Sequence, residues 1–172
     1  MWEDILLCVI TAICVATDLH NRKIYNAVVF PGLLIAFIGH GFVSGWGGLG
    51  YSLAGLFAGL GILLIPYLMG GIGAGDVKML ALVGALKGPA FVAVASVYMG
   101  LIGGLMGIVF LIFRKSTREF FIGAIYALCA RMRGVRMPWP VQEKSLAAML
   151  PYGVAIGGGA VATLIARGAL PL

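Results

Sequence analysis

Gly70-Gly71-Ile72-Gly73-Ala74-Gly75-Asp76-Val77-Lys78 places an ionisable pair inside a glycine cluster, between two apolar runs. An acid at membrane depth is costly and marks a functional site by default. The glycines open backbone conformations that other residues avoid and let a second segment approach closely.

On both sides the flanks are apolar over long distances. The 172 residues are 62% hydrophobic and 10% charged, with a mean hydropathy of +1.08. Soluble domains carry about 25% charged residues, so the composition predicts an integral membrane protein. A spanning helix needs roughly 20 mainly apolar residues. Six runs are candidates: Trp2–Thr17, Ala27–Val43, Leu49–Met69, Val77–Leu86, Ala90–Phe113 and Pro151–Ala166. The expected fold class is all-α, a polytopic bundle of about six transmembrane helices forming one domain over residues 1–172. Gly45-Trp46-Gly47-Gly48 reads as the turn between the second and third runs, and Pro66 as a kink or early end to the third. Gly100, Gly103, Gly104 and Gly107 in the fifth run predict close helix contact, in keeping with 27 glycines in the chain.

Residues 114–150 differ in kind. Phe120, Phe121, Ala124, Ile125, Leu128, Cys129 and Met132 recur at helical spacing beside Arg118, Glu119 and Arg131. The run is too short to span, so it reads as an interfacial amphipathic helix or as a helix packed on the end of the bundle.

The net charge of +6 does not point to nucleic acid, because the basic residues sit in short loops beside apolar runs, as the positive-inside rule requires. Arg22, Lys23, Lys78 and the Arg114–Lys144 segment fall on one side; Lys87 and Arg167 fall on the other. The N-terminus is then outside the cytoplasm. It begins with Glu3 and Asp4, so it reads as a mature first helix and not a cleaved signal. Cys8, Cys14 and Cys129 form no CxxC pair, which supports neither a zinc site nor a disulfide framework. Trp2, Trp46 and Trp139 read as interface markers, and His40 as a satisfied interior histidine.

This topology brings Asp18, at the exit of the first helix, to the same membrane face as Asp76. Two carboxylates held close cannot both ionise cheaply, so one keeps a proton while the other can activate water. Such a pair cleaves peptide bonds with no metal and no cofactor. Each acid also has a plainer reading. Asp18 could pair with Arg22, four residues on and on the same helical face, and Asp76 could be the N-cap of the fourth helix. Lys78 could hold Asp76 ionised, contact substrate backbone, or snorkel to the interface. Arg22 could orient Asp18 or only set topology, and Asn26 reads as a cap for the second helix.

The ordered motifs resemble those of the type IV prepilin leader peptidase family, which belongs to the GxGD membrane aspartyl peptidases. Gly73-Ala74-Gly75-Asp76 fits GxGD, and the following Val77-Lys78 extends it to the family's Gly-x-Gly-Asp-x-Lys. Asp18-Leu19-His20-Asn21-Arg22-Lys23-Ile24-Tyr25-Asn26 is similar to the segment that follows the family's first helix, where Asp, Arg, Ile, Pro and Asn recur in that order. Tyr25 stands where the family usually has proline. Pro151-Tyr152-Gly153 resembles a further family stretch. The resemblance implies Asp18 and Asp76 as catalytic residues, with Gly73, Gly75, Lys78, Arg22 and Asn26 supporting them or binding substrate. It implies removal of the short basic leader of prepilins and pseudopilins at the cytoplasmic face of a prokaryotic inner membrane. The paired-CxxC insert of larger bifunctional members is missing, so the chain looks like the small Tad/Flp-pilus type, and cleavage without N-methyl transfer is expected. A homo-oligomer is compatible with the sequence. A small proton-coupled transporter or channel using the same aspartates is the competing reading, and a non-catalytic assembly subunit of a pilus or secretion machine is the third.

Overall fold

The computed structural model describes residues 2–69, 71–113 and 152–169. The amphipathic segment expected over Arg114–Leu150, with Cys129 and Trp139, lies outside the described residues. Within them the chain is all helical: α1 (Trp2–Asn21), α2 (Asn26–Leu68), α3 (Ala74–Lys87), α4 (Pro89–Phe113) and α5 (Tyr152–Ala169).

α2 covers two of the expected runs and is interrupted at a single residue. Gly45 takes φ 57°, ψ −140°, a conformation open in practice to glycine alone. The expected turn over Gly45–Gly48 is thus a one-residue break with helix resuming at once. The chain doubles back there: a Cβ on Gly48 would overlap the carbonyl of His40, and the His40 and Tyr51 rings meet edge to face at 5.8 Å. The two halves, 26–44 and 46–68, form a hairpin. Pro66 falls in the last turn of the second half, in keeping with early termination.

α3 lies in the grip of this hairpin. Lys78 bonds Asn26 and Leu86 meets His40, so the first half runs parallel to α3. Ser52 bonds Ala85, and Gly59 faces Leu80, so the second half runs antiparallel. The second seam is backbone on backbone. A Cβ on Gly55 would overlap the carbonyl of Gly84, one on Gly84 would overlap that of Gly55, and one on Gly59 would stand 2.5 Å from that of Leu80. Residues 79–86 of α3 are all buried, which is why its apolar positions show no amphipathic stripe.

A helix end leaves its last four carbonyls without intrahelical partners, and lipid supplies none. At the end of α3 all four are met. Gly84 accepts from the Gly88 N–H at 2.7 Å. Ala85 accepts from Ser52 Oγ at 2.7 Å, Leu86 pairs with His40 Nε2 at 3.0 Å, and Lys87 accepts from Tyr51 Oη at 2.7 Å. His40 is thus the satisfied interior histidine the sequence implied. Trp2, partly buried, packs edge to face on it at 5.4 Å, whereas Trp46 is 89% exposed.

α1 runs antiparallel to α3, because Lys87 Nζ pairs with Asp4 at 2.7 Å and Glu3 at 3.3 Å while Asp18 and Asp76 share the other end. α5 packs antiparallel on α1, Gly153 against Asp18 and Gly157 against Val15. It packs antiparallel on α4 as well, where Gly159 faces the backbone of Ala95 and Met99. Of the fifth-run glycines, Gly103 meets Ala155; Gly100, Gly104 and Gly107 face open space among the described residues. Cys14 is buried, and Cys8 is exposed.

Much apolar surface faces outward: Ile5, Val9, Leu34, Phe42, Phe57, Leu64, Val97 and Leu101 are all exposed. α2 and residues 89–109 of α4 are long and apolar enough to cross a membrane, with only 22% and 17% of their most apolar windows buried. A soluble core helix would be mostly covered; an exposed apolar surface of this extent suits lipid. α1 and α5 are shorter or more polar and α3 spans only 14 residues, so the described residues carry six helical segments, with α2 counted as two, without giving each the signature of a crossing.

The Gly84 seam yields a measurable expectation. Gly84→Ala should cost about 3 kcal/mol through overpacking against a backbone that cannot yield, lowering the unfolding midpoint in detergent by roughly 10 °C. Gly61→Ala, in open space, should leave the midpoint unchanged or raise it slightly.

Candidate active site

Each expected site residue can be located from the helix ends. α1 stops because Arg22 turns left-handed, φ 51°, while its N–H still reaches the Asp18 carbonyl at 2.8 Å. A non-glycine residue held there carries strain of about 1 kcal/mol or more, and such outliers cluster at functional sites. The turn redirects residues 23–25 across the bundle end. The alternative pairing of Asp18 with Arg22 survives only as a longer-range attraction, since the Arg22 charge still acts on Asp18 without a direct salt bridge. Four-residue spacing puts two side chains on one face only while the helix continues, and no ion pair joins them among the described residues.

Tyr25 is the N-cap residue of α2, with φ −80°, ψ 132° and no side-chain capping bond. Asn26, expected as the cap, is already inside the helix, and its Oδ1 accepts from Lys78 Nζ at 3.0 Å. Lys78 also lies 5.8 Å from the centroid of the Phe30 ring. It therefore ties α3 to α2 and does not bond Asp76.

α3 begins at Gly73, its N-cap residue with φ −77°, ψ 150°. Asp76 is three residues further in, not at the cap itself. Its Oδ2 accepts from the Gly73 N–H at 3.2 Å, the reach-back half of a capping box; glycine offers no side chain for the other half. A Cβ on Gly75 would press on Ile24 at 3.1 Å, so that glycine admits the 22–26 turn against the start of α3.

Asp18, 6% exposed, accepts from the Gly153 N–H through Oδ2 at 2.9 Å. The sequence assigned no role to Pro151-Tyr152-Gly153. The signal that could have found it is Gly153-x-x-x-Gly157, a spacing that lets two helices touch through backbone.

These pieces enclose an open cleft of about 340 Å³, lined by Asp18, Arg22, Lys23, Ile24, Tyr25, Asn26, Gly73, Gly75 and Asp76. Six of the seven expected residues line it; Lys78 stands behind Asn26. Asp18 is close enough for its charge to act on Asp76. No group of three or more metal-ligating side chains occurs among the described residues. Both carboxylates line this cleft.

The sequence model of the type IV leader peptidase family matches residues 5–128, well over half the chain and inclusive of both aspartates. The chain belongs to the type IV leader peptidase family. No curated protein and no solved structure matches it significantly. It is a peptidase, and its family and two long apolar helices make it an integral membrane protein. α5 and its Gly153 lie beyond the matched residues.

In this peptidase Tyr25 leads the chain out of the turn into α2. Its φ of −80° is at the edge of what a proline ring imposes, and the Tyr25 N–H makes no backbone hydrogen bond among the described residues. Tyr25→Pro should therefore fold normally, its unfolding midpoint within about 4 °C of the parent. It gives up only an exposed bond from Asn21 Nδ2 to the Tyr25 hydroxyl, 3.1 Å long. A fall beyond 10 °C, roughly what 3 kcal/mol would produce, would show that the turn needs that N–H.

Proposed function

We propose that this peptidase is an aspartyl endopeptidase that removes the leader of type IV, Flp-like prepilins and pseudopilins, with Asp18 and Asp76 as its catalytic residues. The observation that carries this reading is the shared cleft: two acids from separate helices open onto one cavity beside a glycine-lined helix start. One carboxylate takes a proton from water as the water oxygen attacks the scissile carbonyl carbon. The other, protonated, hydrogen-bonds the carbonyl oxygen and then protonates the leaving nitrogen as the C–N bond breaks. The exposed glycine backbone at Gly73 leaves room for an extended substrate to lie alongside. Arg22, Asn26, Gly73 and Gly75 shape the cleft, and Lys78 fixes Asn26.

In this reading residues 1–172 are one membrane-embedded domain, with residues 114–150 on the cytoplasmic or interfacial side. Charge supports a cytoplasmic cleft. Arg22, Lys23 and Lys78 gather at the cleft end, against Lys87 and Arg167 at the other. Positive excess marks the cytoplasmic face. Reporter fusions at Gly47 and Lys87 should read outside and one at Arg136 inside; an inverted pattern would put the cleft on the wrong face for a cytoplasmic leader.

Each aspartate is needed for the chemistry. Asp18→Asn and Asp76→Asn should each lower leader cleavage by about 10³-fold or more, and the double variant should be scarcely worse than either single one. The assay is co-expression with an Flp-type prepilin, read by gel shift and mass. Near-normal cleavage by either folded variant would sink the pair.

A further inference from the structure

We infer that the backbone amide of Gly153 is the positioning group for Asp18, so that the active site is completed only when α5 docks on α1. This rests on the Asp18/Asp76 reading above. Asp76 takes its amide locally, from Gly73 three residues back. Asp18 takes its amide from a residue 135 positions away, in a buried bond. The donor lies in the first turn of α5, where amides have no intrahelical partner and the helix carries partial positive charge that favours an anion.

The contact is built for backbone alone. A Cβ on Gly153 would stand 2.7 Å from Asp18 Oδ2 and 3.0 Å from its Cβ and Cγ, so any side chain would drive the carboxylate away. One turn further, a Cβ on Gly157 would stand 2.6 Å from Val15 Cγ2. Gly153 and Gly157 share one face of α5, and Val15 and Asp18 share one face of α1. The two glycines thus bring the helices to the distance at which the amide reaches the carboxylate. With Oδ2 committed to Gly153, the orientation of the carboxyl group is fixed relative to Asp76. Geometry of this kind governs turnover more than substrate affinity, since a shift of about 1 Å in a reacting group can cost 10²-fold.

The full-length enzyme in detergent, with an Flp-type prepilin peptide as substrate, provides the test. Gly153→Ala should lower kcat by about 10²-fold with KM unchanged. Replacing the Gly153 amide with an ester, by cell-free incorporation of glycolic acid, deletes the N–H and adds no volume. It should lower kcat by roughly tenfold or more. Gly104→Ala, in open space, should behave as the parent. Should Gly153→Ala fail to fold, the ester alone decides. Parental kcat in the ester form, alongside an inactive Asp18→Asn, would overturn the positioning role and leave the aspartate pair standing. An active Asp18→Asn would overturn the pair, and with it this inference. A loss expressed wholly in KM would also overturn it, because it would place Gly153 in substrate binding.

Discussion

A helix of 14 residues advances about 21 Å, well short of the roughly 30 Å of hydrocarbon in a bilayer. At least one of its ends then lies where no water can satisfy the backbone. α3 is such a helix, and the rest of the bundle is arranged around its terminal carbonyls. Ser52, His40 and Tyr51, all from α2, meet three of them, and the Gly88 amide meets the fourth. Among the described residues no buried side-chain polar atom is left without a partner. With one end so fixed, the other end of α3 presents Asp76 at a fixed height beside Asp18.

Glycine carries the architecture as much as apolar burial does. Transfer from lipid to a helix interface brings little hydrophobic gain, so membrane helices associate through close van der Waals approach and small residues. Gly55, Gly59 and Gly84 bring α2 onto α3, Gly153 and Gly157 bring α5 onto α1, and Gly159 brings α5 onto α4. Each aspartate is held in the same manner. Its carboxylate accepts from the amide of a glycine at the start of a helix, Gly73 for one and Gly153 for the other. Main-chain donors have no rotamers to lose, so the side-chain entropy given up in orienting each group is the aspartate's own.

Much of this was legible in the sequence. Helix positions followed from apolar run length, and the encounter of Asp18 with Asp76 followed from topology, because helix direction alone brings the end of the first helix to the start of the fourth run. What sequence spacing could not supply were consequences of single backbone angles and of distant contacts. The alternative Asp18–Arg22 pairing assumed a helix continuing through Arg22, and the left-handed residue there leaves it a longer-range attraction without a direct salt bridge. The Gly45–Gly48 turn assumed several residues, and φ 57° at Gly45 needs only one. Asn26 looked like a cap until Lys78, 52 positions on, drew its side chain into a hydrogen bond. Gly153 carries no chemistry of its own, so nothing in its side chain advertised that its amide meets a carboxylate.

The break at Gly45 also sets an order in time. A chain leaves the ribosome from its N-terminus, so the whole α2 hairpin is made before α3 begins. The polar groups that receive α3, namely His40, Tyr51 and Ser52, therefore precede in synthesis the carbonyls they serve. A segment too short to cross the bilayer unaided meets a cradle already translated, and α5 arrives later to close over Asp18. The gene order of the segments is thus the order in which each newcomer's unsatisfied backbone finds its partner.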